Sequence, residues 1–414
     1  MHRLSYRSFG SQGSPKRCAV PSIISLLIWS LYGISPALLA NPPTLDSKVV
    51  VSPLELSWFY KPPTDGTTTE TLATQVKHFI LTRNDENLRD QLRSSHVTTP
   101  ILQYVRFDAI EDPCNGKCPC EDQPWNNQVA WEPGDFCDIQ AKHPDWFLRS
   151  KAGNLISVQL GGQRHVWMDP GNPGWRDFWL ARVKTSQEKW GWDGVFLDNV
   201  QASLGQFTKD KITVLNYPDD PTFQTAVKGF LEHIRNAYFV PKKHPLEGNI
   251  IFLPWGQERE VWEAYISLMD GAMLEDFAVG WRSGAFKSSQ QWLSQIETLE
   301  DSQKKGKHVT LVAQGAQVDL ERQSFALASY LLANRGLASF RYSDGNGQYN
   351  QFWDYESYPK ARALGKPLKE RQPQDQGAWR RDFEHGHVMV NPESHQGEII
   401  LNSNSSSIAN ALIP

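Results

Sequence analysis

Two short apolar runs in the sequence each end in a carboxylate. Val195-Phe196-Leu197 precedes Asp198, and Ala272-Met273-Leu274 precedes Glu275. A continuously apolar run is typical of a parallel strand that is buried on both faces. In α/β barrels the carboxyl ends of such strands form the face that carries the chemistry. Two carboxyl groups flanking one bond suit glycoside hydrolysis, because one protonates the leaving oxygen while the other attacks carbon or activates water. We therefore predict Asp198 and Glu275 as catalytic residues.

Other polar and aromatic residues lie at or just after the ends of predicted elements. Aromatic rings at such a rim offer flat faces on which sugar rings stack. We predict that the substrate-binding residues are Tyr60, Tyr104, Asp169, Asn199, Trp255, Asp276 and Arg341. For each aromatic residue taken alone, the alternative is packing in the core. Only one of Asp276 and Glu275 is expected to point into the barrel mouth, since adjacent residues of a strand point to opposite sides.

Eight predicted strands alternate with helices over most of the chain. The strand of Asp198 is the fourth and that of Glu275 is the sixth. This order predicts an α/β protein, a (β/α)8 TIM barrel over residues 41–365. In a closed barrel the ends of these two strands face each other across the mouth. Residues 366–414 contain short strands and a hairpin turn at His385-Gly386, which predict a small β-structured C-terminal region.

The segment 106–170 is an insertion after the third predicted strand. It lacks clear periodicity and carries four cysteines, Cys114, Cys118, Cys120 and Cys137. Loops of this length are usually functional or disordered, and cross-linking favours an ordered loop. The fifth cysteine, Cys18, lies in the predicted targeting segment, and the even number that remains in an exported chain indicates two disulfides, with three possible pairings. A zinc site is the alternative, although the C-x3-C-x-C spacing is not a common zinc signature.

The first forty residues are typical of a targeting segment. Four basic residues and no acid precede a mostly apolar stretch at 19–34, which is short for a membrane span. The residues before Ala40 resemble a cleavage region, so we predict a signal peptide over residues 1–40. An uncleaved anchor is the alternative. Cleavage would give a secreted or periplasmic protein without stable membrane insertion.

Composition narrows the classes of partner. The chain has 414 residues, a formal net charge of −4 and no basic block, which argues against nucleic acid. It contains sixteen tryptophans, an excess that suits either a large core or sugar-binding platforms. G-x-S-x-G, Walker, dinucleotide-binding and H-E-x-x-H motifs are absent from the sequence. We expect a polysaccharide or oligosaccharide substrate, no cofactor and no metal.

Five segments in this order resemble one protein family. They are 143–148, 168–176, 191–200, 270–275 and 383–392, which include His-Pro-Asp-Trp-Phe-Leu, Gly-Trp-Asp-Gly-Val-Phe-Leu-Asp-Asn-Val and the closing hairpin. The chain resembles bacterial glycoside hydrolases of the α-galactosidase superfamily and, more distantly, endo-α-1,4-polygalactosaminidases. Each motif alone is weak, whereas the combination in order is fairly specific.

The resemblance implies a barrel with a catalytic aspartate on the fourth strand and an acid on the sixth. On this chain these positions are Asp198, as nucleophile or base, and Glu275, as general acid. The cysteine-bearing insertion departs from the family pattern. The expected function is an exported glycoside hydrolase acting on an extracellular or cell-surface polysaccharide. The alternative is a non-catalytic carbohydrate-binding or polysaccharide-assembly protein built on an inactive barrel.

Overall fold

The structure is a computed structural model that describes residues 52–254, 256–282, 284–344 and 349–403. The predicted signal peptide and Trp255, one of the predicted substrate-binding residues, lie outside the described residues. In the part of the chain that is described, no helix is both long enough and apolar enough to cross a bilayer.

Eight parallel strands close into a barrel, each hydrogen-bonded to the next in chain order and the last to the first. The barrel strands are β1 (Leu56–Tyr60), β2 (Val76–Leu81), β3 (Ile101–Arg106), β7 (Gly194–Gln201), β8 (Leu246–Ile251), β9 (Gly271–Leu274), β10 (His308–Gly315) and β11 (Ala338–Asp344). The prediction of a (β/α)8 barrel is confirmed, with the strand of Asp198 fourth and that of Glu275 sixth.

Helices connect the barrel strands and follow the last of them. They are α1 (Thr69–Gln75), α2 (Glu86–Ser94), α3 (Asp135–Lys142), α4 (Pro173–Trp190), α5 (Gly205–Lys209), α6 (Asp220–Ile234), α7 (Val240–Lys242), α8 (Glu258–Ile266), α9 (Ser289–Lys304), α10 (Leu320–Ala333) and α11 (Ser357–Ala363). Helix α4, which precedes β7, has residues typical of a helix start and a helix end at its two termini. The Asn172 side chain accepts a hydrogen bond from the Trp175 amide, and Gly191 ends α4 with a φ of 71°.

An apolar layer fills the barrel beneath its mouth. Its members include Phe59, Ile80, Leu102, Phe196, Met273 and Val312. Phe196 lies two residues before Asp198, and Met273 lies two residues before Glu275. Because residues two apart share one face of a strand, both carboxylates stand above this layer on the inward side.

The insertion contains regular structure that the sequence analysis did not predict. A three-stranded antiparallel sheet is ordered β4-β6-β5, with α3 beside it. Its strands are β4 (Ala109–Asp112), β5 (Ser157–Leu160) and β6 (Gln163–Trp167). They are too short to show a period in the sequence, which is why we expected a loop. Disulfides join Cys114 to Cys120 and Cys118 to Cys137, which confirms two disulfides and selects one of the three pairings.

The C-terminal region forms an antiparallel sheet in the order β12-β13-β14-β15. Its strands are β12 (Gln372–Pro373), β13 (Trp379–Phe383), β14 (Gly386–Asn391) and β15 (Gln396–Leu401). The predicted hairpin turn is confirmed, because β13 pairs with β14 up to Phe383 and Gly386. The sheet packs on α10, where the buried Arg381 guanidinium donates to the carbonyls of Leu331 and Leu332 at 3.0 and 3.1 Å. The boundary at residue 366 stays a prediction.

Candidate active site

Asp198 lies where β7 becomes irregular. The pairing of β7 with β3 extends to Asp198, whereas its pairing with β8 shifts between Leu197 and Val200. Asn199 has a φ of 62°, a left-handed conformation that asparagine tolerates better than most residues. Bulges of this kind re-aim side chains and are frequent beside active sites. The Asp198 carboxylate accepts a hydrogen bond from the hydroxyl of Tyr104, which belongs to β3.

Glu275 follows β9 directly and is linked to Asp198 by one amide group. The Asn249 side chain, on β8, donates from Nδ2 to Glu275 Oε2 at 2.8 Å and to Asp198 Oδ1 at 3.4 Å. The hydroxyl of Tyr349 donates to the other oxygen of Glu275. Because β8 lies between β7 and β9 in the barrel, Asn249 is placed to contact both carboxylates. The two acids thus belong to a single hydrogen-bonded cluster.

The two carboxyl groups differ in their electrostatic surroundings. Burial raises the pKa of Asp198, while the hydrogen bond from Tyr104 and the Arg106 guanidinium oppose that rise. Burial, reinforced by the charge of Asp198, raises the pKa of Glu275 to about 7. Hydrogen bonds from Tyr349 and Asn249 only partly offset it. Near neutral pH, Glu275 is therefore the group that can retain a proton.

Arg106 is held in place by a buried ion pair. Its Nε donates to Asp108 Oδ1 at 2.8 Å, and Gln201 donates to the other oxygen of Asp108 at 3.2 Å. All three side chains are buried. The ion pair fixes a positive charge close to Asp198, which favours the ionised form of that carboxyl group.

Tyr60 and Tyr104 form one wall beside the Asp198 carboxylate. Their ring centroids are 4.7 Å apart. Tyr60 has a φ of 100°, a conformation that a non-glycine residue rarely adopts. Burial, followed by the charge of Asp198, raises the pKa of Tyr60 to about 12, so its hydroxyl stays protonated and able to donate. Strained backbone of this kind is concentrated at functional sites.

The remaining predicted site residues have other contacts. Arg341 is buried on the Trp58 ring at 4.4 Å, and its guanidinium donates to the carbonyls of Tyr349 and Gln351. It therefore holds the segment that carries Tyr349. Asp276 forms an ion pair with Lys287. Asp169 is buried, and its Oδ1 accepts from the Gly171 amide at 2.8 Å and from the Tyr217 hydroxyl. Substrate binding by Arg341, Asp276 and Asp169 stays a prediction.

The sequence analysis did not include three residues that surround the carboxylates. They are Asn249, Tyr349 and Arg106. Asn249 was a usable signal, because it is a polar residue directly before the apolar pair Ile250-Ile251 of β8. Arg106 directly follows the third predicted strand, where a charged residue could have been noticed. Tyr349 gave no such signal, because its position depends on the path of the chain after β11.

A cavity of about 630 Å³ opens beyond the carboxyl ends of β7 and β8. Its lining includes Ser203, Gly205, Asp220, Phe252 and Gln257. Neither carboxylate lines this cavity, but the loops that form it leave the barrel at the same face. Two aromatic side chains on this face are exposed, Phe252 at 41% and Trp281 at 46%. The face that carries the carboxylates therefore also offers a recess and apolar ring surfaces.

A parallel barrel with paired carboxylates at the carboxyl ends of its strands is the arrangement of a glycoside hydrolase. The chain belongs to the hypothetical glycosyl hydrolase family 15, whose family model matches residues 120–387. This match confirms the predicted enzyme class. A search of curated protein sequences found no significant match.

Solved structures with similar folds include three glycoside-processing proteins. The glycoside hydrolase domain of PelA from Pseudomonas aeruginosa has 13% identity and a TM-score of 0.46, covering 72% of this chain and 96% of that one. The maltogenic α-amylase AmyB from Thermotoga neapolitana has 11% identity and a TM-score of 0.46, covering 83% and 87%. The α-galactosidase TtGalA from Thermus thermophilus has 13% identity and a TM-score of 0.41, covering 83% and 67%. At this level of similarity, the roles of individual residues rest on the geometry of this chain alone.

Proposed function

We propose that this glycoside hydrolase is exported and cleaves a polysaccharide with Asp198 and Glu275 as its catalytic pair. The observation that carries the proposal is the bridging amide of Asn249, which contacts both carboxylates. Export is supported by the two disulfides, since disulfides persist mainly in oxidising compartments. A polymeric substrate is supported by the exposed rings of Phe252 and Trp281 beside the mouth.

The spacing of the carboxylates supports a retaining mechanism. The Asn249 Nδ2 atom contacts one oxygen of each group, at 3.4 and 2.8 Å, so these two oxygens lie at most 6.2 Å apart. This limit is compatible with the ~5–5.5 Å carboxyl spacing of retaining enzymes. Retaining enzymes need no room for a water molecule between the second carboxylate and the sugar. Asp198 would then act as nucleophile, and Glu275 as general acid and later as general base.

The steps follow from the two environments. Glu275 gives its proton to the glycosidic oxygen as that oxygen leaves, while an oxygen of Asp198 bonds to the anomeric carbon. Water then attacks the same carbon, Glu275 accepts its proton, and the bond to Asp198 breaks. The raised pKa of Glu275, about 7, suits both the donation and the later acceptance of a proton.

The proposal is tested with Asp198→Asn and Glu275→Gln on a panel of polysaccharides. We expect each substitution to reduce the release of reducing ends at least about 10³-fold in a glycoside hydrolase of this type. Asp177→Asn is the matched control, because Asp177 lies on α4, is 72% exposed and pairs with His233. We expect it to change kcat far less than Glu275→Gln does.

Two outcomes would count against the proposal. If both variants cleave as well as the wild type, the catalytic pair is wrongly assigned. If the wild type retains a glycan but turns over none of the panel, the binding alternative is favoured. The anomeric configuration of the first product that the wild type releases, followed by NMR, separates retention from inversion. A retaining enzyme would release a product with the anomeric configuration of the substrate.

A further inference from the structure

A second polar cluster lies inside the barrel, at the end opposite to Asp198 and Glu275. His78 of β2, Glu247 of β8 and His308 of β10 lie within the first three residues of their strands. His78 Nε2 is 3.1 Å from one oxygen of Glu247, and His308 Nδ1 is 3.4 Å from the other. Since all strands are parallel, this cluster marks the amino-end base of the barrel. We refer to these three residues as the base cluster.

The atoms of the base cluster are close together but poorly satisfied. Among the described residues, no hydrogen-bond partner with acceptable geometry exists for His78 Nε2, His308 Nδ1 or Glu247 Oε2, and all three atoms are buried. Glu247 is only 6% exposed. Buried polar atoms are nearly always hydrogen-bonded, so three unpaired polar atoms that lie close together require an explanation. A bound cation would contact all of them at once.

The space at this point is preserved by a glycine. A Cβ atom at Gly271, the first residue of β9, would lie 2.9 Å from the Glu247 carboxyl carbon. Any larger residue would push against the carboxylate or the adjoining backbone of His308. The two imidazole rings are also in contact, with centroids 4.3 Å apart. Neutral rings that share a cation would tolerate this contact, whereas two protonated rings would repel each other.

We propose that the base cluster binds one divalent transition-metal ion of the Zn²⁺ class through His78 Nε2, His308 Nδ1 and the Glu247 carboxylate. The three ligand atoms all lie within 4.8 Å of one another. Tetrahedral zinc with ligands at about 2.0–2.1 Å requires ligand–ligand separations of about 3.3 Å. His78 Nε2 and His308 Nδ1 lie 3.1 and 3.4 Å from opposite oxygens of Glu247, which is close to that value. Imidazole nitrogens also favour Zn²⁺ over Mg²⁺ or Ca²⁺, which prefer oxygen.

The site lies near the base surface, and a bound ion would have a clear mechanical consequence. The side chains of His78 and His308 are 13% and 20% exposed, although their ligand atoms are buried. The metal would cross-link β2, β8 and β10, none of which is a neighbour of another in the barrel. β8 carries Glu247 of the base cluster and, two residues later, Asn249, which contacts the two carboxylates at the mouth. The role is structural and does not depend on the proposed catalytic pair.

The test uses the full mature chain without a polyhistidine tag, stripped with EDTA and then titrated with Zn²⁺. Calorimetry and elemental analysis should give one Zn²⁺ per chain. At about 100-fold excess over Kd, the Tm should rise by about 3 °C or more. His308→Gln and Glu247→Gln should each weaken Zn²⁺ binding at least about 10-fold. His233→Gln is the matched control, because His233 pairs with Asp177 elsewhere, and it should bind Zn²⁺ as the wild type does.

X-ray absorption spectroscopy of the wild-type zinc complex identifies the ligand atoms directly. It therefore tests the proposal even if the variants fail to fold. Two imidazole ligands and oxygen at about 2.0–2.1 Å, without sulfur, would support the base cluster. A wild-type chain that binds no Zn²⁺ would overturn the proposal and leave a metal-free ion pair. Binding that survives in a folded Glu247→Gln and His308→Gln double variant, or a spectrum with sulfur ligands, would overturn it equally.

Discussion

At the scale of single residues, Glu275 combines a catalytic requirement with a cost to stability. Its pKa in the folded chain is raised to about 7 by burial and by the charge of Asp198. A glutamate in an unfolded chain has a pKa of about 4.3. Between these values the unfolded chain releases a proton that the folded chain retains, so rising pH favours unfolding. The carboxyl group that suits acid catalysis therefore weakens the fold at neutral and higher pH.

Glu275→Gln should consequently raise the Tm above that of the wild type at pH 8, because glutamine cannot ionise. We expect a difference of a few degrees at pH 8 that shrinks towards zero near pH 4. Scanning calorimetry of both proteins across this range measures it. Glu263→Gln is a control of opposite sign, since hydrogen bonds from Lys305 and Arg259 lower the pKa of Glu263. That variant should lose stability at pH 8. An unchanged Tm for Glu275→Gln at every pH would contradict the raised pKa.

The two tyrosines that donate to the carboxylates should shift opposite limbs of the pH profile. Tyr349→Phe removes a hydrogen bond that lowers the pKa of Glu275, so this pKa rises and the alkaline limb of kcat/KM moves to higher pH. Tyr104→Phe removes the corresponding bond to Asp198, so the acidic limb moves to higher pH. We expect kcat to fall about 10-fold in each, the loss of about one charge-assisted hydrogen bond. If both variants shift the same limb, the assignment of acid and nucleophile is wrong.

At the scale of elements, the irregular end of β7 sets the direction of Asp198. The left-handed φ of 62° at Asn199 is compatible with asparagine or glycine and strained for a β-branched residue. Asn199→Val should therefore cost about 1–3 kcal/mol in unfolding free energy and lower kcat. Asn199→Gly should retain most of the stability. Urea unfolding and kinetics on the same preparations measure both effects. A variant Asn199→Gly with normal stability but no activity would instead indicate that the asparagine side chain contacts substrate.

At the scale of the whole molecule, those features of the fold that depend on a local residue pattern could be predicted from the sequence. The continuously apolar runs before Asp198 and Glu275 predicted two buried strands. Because these strands were the fourth and sixth of eight, both acids were predicted at the same end of the barrel. The contacts of Asn249 and Tyr349 could not be predicted in this way, because they exist only when the barrel closes. The base cluster had no signal for the same reason. His78, Glu247 and His308 are spread over three distant strands, and no short spacing relates them.

The attachment of the C-terminal sheet also belongs to this scale, and Arg381 contributes buried hydrogen bonds to it. The guanidinium is buried and donates to the carbonyls of Leu331, Leu332 and Asn334 at the end of α10. Arg381→Met would leave these acceptors without their donor, at a cost of about 3 kcal/mol. The neighbouring Arg380 is a matched control, since it is 39% exposed and pairs with Asp382. Arg380→Gln should cost less than about 1 kcal/mol.

Urea unfolding followed by both tryptophan fluorescence and far-ultraviolet circular dichroism distinguishes two ways in which the sheet could be attached. If the sheet and the barrel unfold together, Arg381→Met shifts one shared transition to lower urea, and the two signals remain coincident. This is the result we expect, because the contacts of Arg381 cap α10, a buried helix that joins two barrel strands. Separate transitions would show that the sheet is an independent appendage, and equal effects of Arg381→Met and Arg380→Gln would show that the carbonyl contacts of Arg381 add no stability.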